Sequence, residues 1–266
     1  MSEANQSHFL LETRNISRYF GGLKAVDGVD FRLKKGDLHS IIGPNGAGKT
    51  TFLNLISGVL KPTHGRVVYK GQDITDFPTY RMAHLGIARS YQITNLFPTL
   101  TVLENIRLAA QALGSDNFKM LTDYRRFHRY EKDAREVLEK VGLASLESVP
   151  VISLPHGDKR RLELAMLLAQ DPDVLLLDEP TAGLATEQVP EFMALVKNIQ
   201  DKSNRTIVLV EHNMNVVMTL SHRISVMHQG RILAEGTPEE ISANETVQNA
   251  YLGTLYEDVS VMGTRE

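Results

Sequence analysis

Apolar positions along the chain keep three different rhythms. Residues 9–42 hold short apolar or alternating runs, and Phe9–Thr13, Val29–Leu33 and Asp37–Ile42 read as strands with Lys34–Gly36 as a turn. Ile41-Ile42 leads straight into Gly43, and Thr50–Ser57 reads as a helix closed by Gly58, so the order is strand, glycine loop, helix. Val67–Tyr69 continues the strand-rich part. From Thr101 to about Ala169 the period becomes helical: Thr101 and Glu104 form a capping box ahead of Ile106 and Leu108. Gly114–Phe127 is polar and reads as an insertion, and Tyr130–Val141 as an amphipathic helix ending at Gly142. Val174–Leu177 and Thr206–Val210 are too short for helices and suit strands buried on both faces of a parallel sheet, with a helix over Pro190–Ile199 between them. Ile224–Met227 and Arg231–Glu235 flank the hairpin turn Gln229-Gly230, and Thr237-Pro238-Glu239-Glu240 is a helix start with cap, proline and glutamate in place. The predicted architecture is α/β: a mostly parallel core, an antiparallel N-terminal part and a helical insertion between residues 93 and 168.

Composition narrows the function classes. The 266 residues are enough for one large core, and 42% hydrophobic with 23% charged is ordinary for a globular chain. A net charge of −3 gives no electrostatic reason to expect nucleic acid. The absence of cysteine excludes a disulfide scaffold and thiolate metal sites. Met1 to His8 is polar, so no signal peptide is expected, and no run of about 18 apolar residues is present to span a bilayer.

The chemistry starts at Gly43-Pro44-Asn45-Gly46-Ala47-Gly48-Lys49-Thr50, which fits G-x-x-x-x-G-K-[ST] in full, after a strand and before a helix. Glycines let successive N–H groups turn inward on phosphates, and the helix start adds its positive dipole end. Lys49 suits the β- and γ-phosphates of ATP, and the Thr50 hydroxyl suits Mg²⁺. A dinucleotide fold would need G-x-G-x-x-G, which this loop lacks.

A second group ends the strand at Leu175-Leu176-Leu177-Asp178-Glu179-Pro180. Asp178 suits the Mg²⁺ site, and Glu179 is placed to act as general base on the attacking water. His212 follows Glu211 after the next buried strand, where an imidazole can hydrogen-bond the γ-phosphate. Gln92, in Ser90-Tyr91-Gln92, stands where the core gives way to the helical insertion; its amide suits the metal or the water.

This set, in this order, resembles the nucleotide-binding subunit of ABC transporters over nearly the whole chain. The resemblance implies one ABC ATPase domain over residues 1–266 with a P-loop NTPase (RecA-like) core: 1–92 as antiparallel strands plus the phosphate-loop core, 93–168 as a helical subdomain, 169–240 as the second half of the core, and 241–266 as C-terminal helix and tail. It implies that Thr51 joins the phosphate contacts and that Phe20, in Tyr19-Phe20-Gly21-Gly22, stacks on adenine; the other readings are Tyr19 in that role, or Phe20 as a core aromatic. Leu154-Pro155-His156-Gly157-Asp158 stands at the family's L-S-G-G-Q signature, which caps the γ-phosphate held by the opposite subunit, so Leu154, His156 and Gly157 are candidate nucleotide contacts. Pro155 lacks the hydroxyl and the N–H of the usual serine, which predicts a weaker closing face. Position 185 is alanine where the family usually has aspartate, and Lys159-Arg160-Arg161 reads as a solvated helix face.

Ile16–Val26, Arg160–Glu163, Ala182-Gly183-Leu184 and Ala250-Tyr251-Leu252-Gly253 are similar to the ATPase of high-affinity branched-chain amino acid importers, a branch that also holds importers of urea and related amides or carboxylates. The implied partners are a second ABC ATPase subunit, identical or paralogous, two membrane permease subunits and, indirectly, an extracytoplasmic solute-binding protein. The implied place is peripheral, on the cytoplasmic side of the inner membrane. Two other classes share the phosphate loop. A soluble ABC-type ATPase acting on DNA or ribosomes calls for two cassettes or a coiled-coil insertion, and a small-molecule kinase for an acceptor lid instead of the signature and His212.

Overall fold

The computed structural model describes residues 9–90, 96–114 and 128–250. The chain divides into two compact units, Met1–Thr79 with Thr206–Glu266, and Tyr80–Arg205.

The first unit carries two sheets. In one, the long hairpin of β1 (Leu11–Phe20) and β2 (Leu23–Leu33) pairs antiparallel, and β1 also pairs with β4 (His64–Tyr69), which carries the short β5 (Gln72–Asp73). The hairpin extends well beyond Phe9–Thr13 and Val29–Leu33. Register shifts between Thr13, Ile16 and Arg18, with Asn15 at φ 50, break the two-residue alternation, so half of it carries no strand signal in the sequence. In the other sheet, β3 (Leu38–Ile42) lies parallel between β8 (Thr206–Val210) and β9 (Arg223–His228), and β10 (Arg231–Gly236) folds back antiparallel on β9. Every residue of β3 and β8 is buried, as strands covered on both faces require, and the polar His39 and Ser40 that interrupt the apolar run of β3 are hydrogen-bonded to Ser225 and Ser221. Helices α1 (Lys49–Ile56), α7 (Met214–Leu220) and α8 (Pro238–Ser242) belong to this unit; Ile42, Val217, Ile224, Val226 and Ile241 form one apolar cluster, and Thr237 with Glu240 completes the expected capping box.

A titratable group is locked into this core. His39 on β3 is fully buried, its Nε2 2.8 Å from Ser225 Oγ and its ring 4.6 Å from that of Phe31. Burial pushes its pKa down from 6.5 to about 4, against the pull of Glu235. Between those values the unfolded chain binds the extra proton, so stability is complete above pH 6.5 and falls as pH drops towards 4. The native chain should therefore be about 2 kcal/mol less stable at pH 5 than at pH 8 through this group alone. Chemical denaturation at the two pH values checks this, and His39→Gln should flatten the difference.

The second unit holds the short helix α2, most of which (Thr79–His84) lies in it, the parallel pair β6 (Ile87–Arg89) and β7 (Val174–Asp178), and helices α3 (Val102–Ala112), α4 (His128–Val141), α5 (His156–Leu168) and α6 (Val189–Ser203). α3, α4 and α5 pack on one another and make the expected helical subdomain around Val102, Ile106, Ala134, Leu138 and Leu162. α6 outruns Pro190–Ile199 and stops at Asn204, which takes the left-handed conformation at φ 47. Among the described residues no helix is long and apolar enough to cross a membrane.

Candidate nucleotide site

The phosphate loop leaves the C-terminal end of β3, and α1 starts at Lys49. Gly48 caps α1 at φ 98, and a β-carbon there would collide with the Ala25 carbonyl oxygen, so only glycine fits. Behind the loop, Gly230 (φ 79) in the β9–β10 turn donates from its N–H to the Ala47 carbonyl at 3.0 Å and accepts at its own carbonyl from Asp27 N–H at 2.8 Å. The sequence marked Gln229-Gly230 only as a turn; the structure makes it the back wall of the loop. Lys49 is largely buried, and its Nζ donates to the Gly43 carbonyl at 2.7 Å and the Pro44 carbonyl at 3.0 Å, so the ammonium lies along the loop. Asn45, Gly46 and Thr50 are exposed, and Ala47 is buried. Pro44 and Thr51 are half-buried.

β8 is the parallel neighbour of β3, with Ile41 opposite Val210. Glu211 and His212 therefore emerge at the same sheet edge as Gly43. The Glu211 side chain is fully buried and accepts from the His212 N–H at 3.2 Å, which holds the backbone of an exposed His212. Phe20 ends β1, 44% exposed, with the Arg18 guanidinium 4.7 Å from its ring centre. The core-aromatic alternative is thereby corrected. Tyr19 is tethered instead: its hydroxyl donates to Asp27 at 2.6 Å, and this bond, with the one from Arg231, holds the Asp27 carboxyl down at about 2.

In the second unit Asp178 ends β7 with its side chain 1% exposed. Arg89, at the end of β6, donates to its Oδ2 at 3.2 Å, and the Asp178 N–H donates to Ser90 Oγ at 2.9 Å. Sequence reading missed Arg89; its one signal was a lone cation in an otherwise apolar strand three residues before Gln92. Breaking such a buried pair typically costs about 3–5 kcal/mol, so replacing Asp178 would disturb the fold as well as any metal ligand. Glu179, half-buried, has φ 47. A non-glycine residue in that region stores about 1–3 kcal/mol of strain, and such residues cluster at functional sites. Gln92 lies outside the described residues.

The signature segment opens α5, with Pro155 as N-cap and His156 as the first helical residue. His156 is exposed and Gly157 half-buried, whereas the Leu154 side chain is 5% exposed and serves the core. Arg160 and Arg161 are not a solvated face. Arg160 donates to Glu163 at 2.8 Å and to the Ala182 carbonyl at 2.9 Å, and Arg161 pairs with Glu191 at 2.6 Å. Partners three residues along the helix, on the loop after β7 and on α6 draw these cations inward.

The glycine loop leading from β3 into α1, beside the parallel strand β8, marks a nucleotide-binding P-loop ATPase cassette. A sequence profile of the ABC transporter family matches residues 26–182, and one described as branched-chain amino acid ATP-binding cassette transporter matches residues 231–256. The chain belongs to the ABC transporter family. It is 39% identical over 249 residues to the high-affinity branched-chain amino acid transport ATP-binding protein LivG of Escherichia coli (strain K12), covering 92% of this chain and 98% of the relative. The ADP conformation of an ATP-binding cassette of an ABC transporter superposes with TM-score 0.78 at 30% identity, covering 92% of this chain and 99% of that one. A dimeric post-hydrolysis cassette bound to ADP and Pi superposes with TM-score 0.72 at 27% identity, over 86% and 98%.

Proposed function

We propose that this chain is the ATP-hydrolysing motor subunit of an ABC importer for branched-chain or related amino acids, working as a single cassette on the cytoplasmic face of the membrane. The observation that carries the reading is the phosphate loop on β3 beside the parallel β8 that ends in Glu211-His212, in a chain 39% identical to a branched-chain amino acid transport ATPase.

In this reading the loop residues 43–51 bind the phosphates through backbone N–H groups and Lys49. Phe20 stacks on adenine, Glu179 takes the proton of the attacking water, and His212 and Gln92 contact the γ-phosphate and the water. The Thr50 hydroxyl and the Asp178 carboxylate are hard oxygen donors, and Mg²⁺ is usually held by one or two such groups plus phosphates and water, so this donor set fits the ion. Bound there, Mg²⁺ would offset charge on the phosphate oxygens. His156, Gly157 and the α5 N-terminus form the face offered to the ATP of a second ATPase subunit. Because ATP favours the closed pair, its binding energy shifts that equilibrium and moves the two permease subunits.

Proteoliposomes holding this chain, its partner ATPase and the permeases test this. Supplied with the solute-binding protein and internal Mg-ATP, they should take up labelled leucine, and the chain alone should hydrolyse ATP at least about 10-fold more slowly, as loss of one charge-assisted hydrogen bond at the Pro155 face predicts. Uptake of urea without leucine would move the chain to the amide branch. Uptake without ATP dependence would remove the motor reading.

A further inference from the structure

The loop between Glu179 and α6 is bound to the first turns of α5 at three places. A β-carbon on Gly157 would come 3.1 Å from Gln188 Nε2, and one on Gly183 3.0 Å from His156 Cε1, so these residues already touch. The third tie is polar. Arg160 donates from one guanidinium nitrogen to the Ala182 carbonyl at 2.9 Å and from the other to Glu163 Oε2 at 2.8 Å, with side-chain exposures of only 14% and 16% for the ion pair. The Ala182 N–H in turn donates to the Glu179 carbonyl at 3.0 Å. The chain of contacts therefore runs from the arginine, through one peptide-bonded turn, to a glutamate held at φ 47.

We propose that Arg160 is a positioning residue for Glu179. β7 fixes Glu179 on its N-terminal side, and the turn closed by Ala182 fixes it on the other. A left-handed glutamate relaxes towards ordinary backbone angles unless its surroundings over-determine it. The guanidinium supplies that constraint: it is planar, Glu163 pins its orientation, and it reaches the turn from a helix rather than from the loop itself. A lysine offers one point charge and cannot bridge both acceptors in the same geometry. The same contact joins the helix that begins at His156 to the loop that follows the base, so the nucleotide-facing end of α5 and the Glu179 turn are held together inside one subunit. The inference rests on the role of Glu179 as general base.

Steady-state hydrolysis by the full chain with its partner ATPase tests it. Arg160→Ala should lower kcat about 10- to 100-fold, the scale of a small misplacement of a reacting group, while KM for ATP stays within about two-fold. Arg160→Lys should recover only part of the rate, and added methylguanidinium should restore part of it to Arg160→Ala. The decisive arm is Arg160→Ala in a Glu179→Gln background, where a residue acting through Glu179 causes no further loss. A kcat for Arg160→Ala within about two-fold of the parent, or an undiminished further loss in the double variant, overturns the proposal. If Glu179→Gln alone hydrolyses at the parent rate, the base assignment has failed instead, and the two failures are thereby separated.

Discussion

Replacing Glu179 with glutamine is expected to leave nucleotide binding intact and to lower turnover by at least about 10²-fold, the low end for a lost general base. Glutamine keeps the shape and the backbone demands of the parent residue, so the left-handed conformation at φ 47 costs it about the same. What it lacks is a carboxylate basic enough to take a proton from water, since an amide oxygen accepts hydrogen bonds but is far less basic. The neighbouring carboxylate is a poorer probe. Asp178 is sealed in an ion pair with Arg89 and tied to Ser90, so its replacement would mix lost chemistry with lost stability. Titration calorimetry with Mg-ATP and a phosphate-release assay separate the two quantities for Glu179→Gln. A near-parent rate would show that another group is the base.

Lys49→Ala should do the opposite and weaken binding itself. The lysine ammonium now lies against two loop carbonyls, Gly43 and Pro44, which orient it along the loop. In the proposed reading a bound nucleotide would exchange those neutral acceptors for phosphate oxygens, and two charge-assisted bonds at about 1.5 kcal/mol each correspond to at least about 10²-fold in affinity. Hydrolysis at subsaturating ATP should fall by at least as much. Calorimetry checks the first and a rate at fixed low ATP the second, with thermal melting as the control for folding. Unchanged binding would remove the phosphate-loop assignment.

The parts legible in the sequence were those where one local rule acts alone. β7 and β8 each hold a run of four apolar residues because both faces are covered, and the Thr237 and Thr101 caps were read from residue types at fixed spacing. The glycine loop was legible because strand, motif and helix coincide. The long β1–β2 hairpin was not, since its irregular register hides the alternation, and β5, β6 and α2 are too short to carry a period. Within the site, Arg89, Arg160 and the Gly230 wall were invisible for a different reason. Each acts through a partner far away in the chain: Arg89 on Asp178, Arg160 on Ala182, Gly230 on Ala47. A run such as Lys159-Arg160-Arg161 looks solvated until the loop it binds is in place.

The wall behind the phosphate loop is made almost wholly of main chain: Gly48 against the Ala25 carbonyl, Gly230 against Lys24, Ala25 and Ala47. No side-chain exchange elsewhere can make room there, because peptide groups cannot be traded for smaller ones. A saturation library screened for growth on an imported nutrient would therefore find two kinds of intolerant position. At Lys49 or Glu179, with the proposed roles, the lesion would be chemical, and the dead variants would still accumulate as folded protein. At Gly48 and Gly230 the lesion is geometric, and no second-site suppressor should be recoverable from the surrounding side chains.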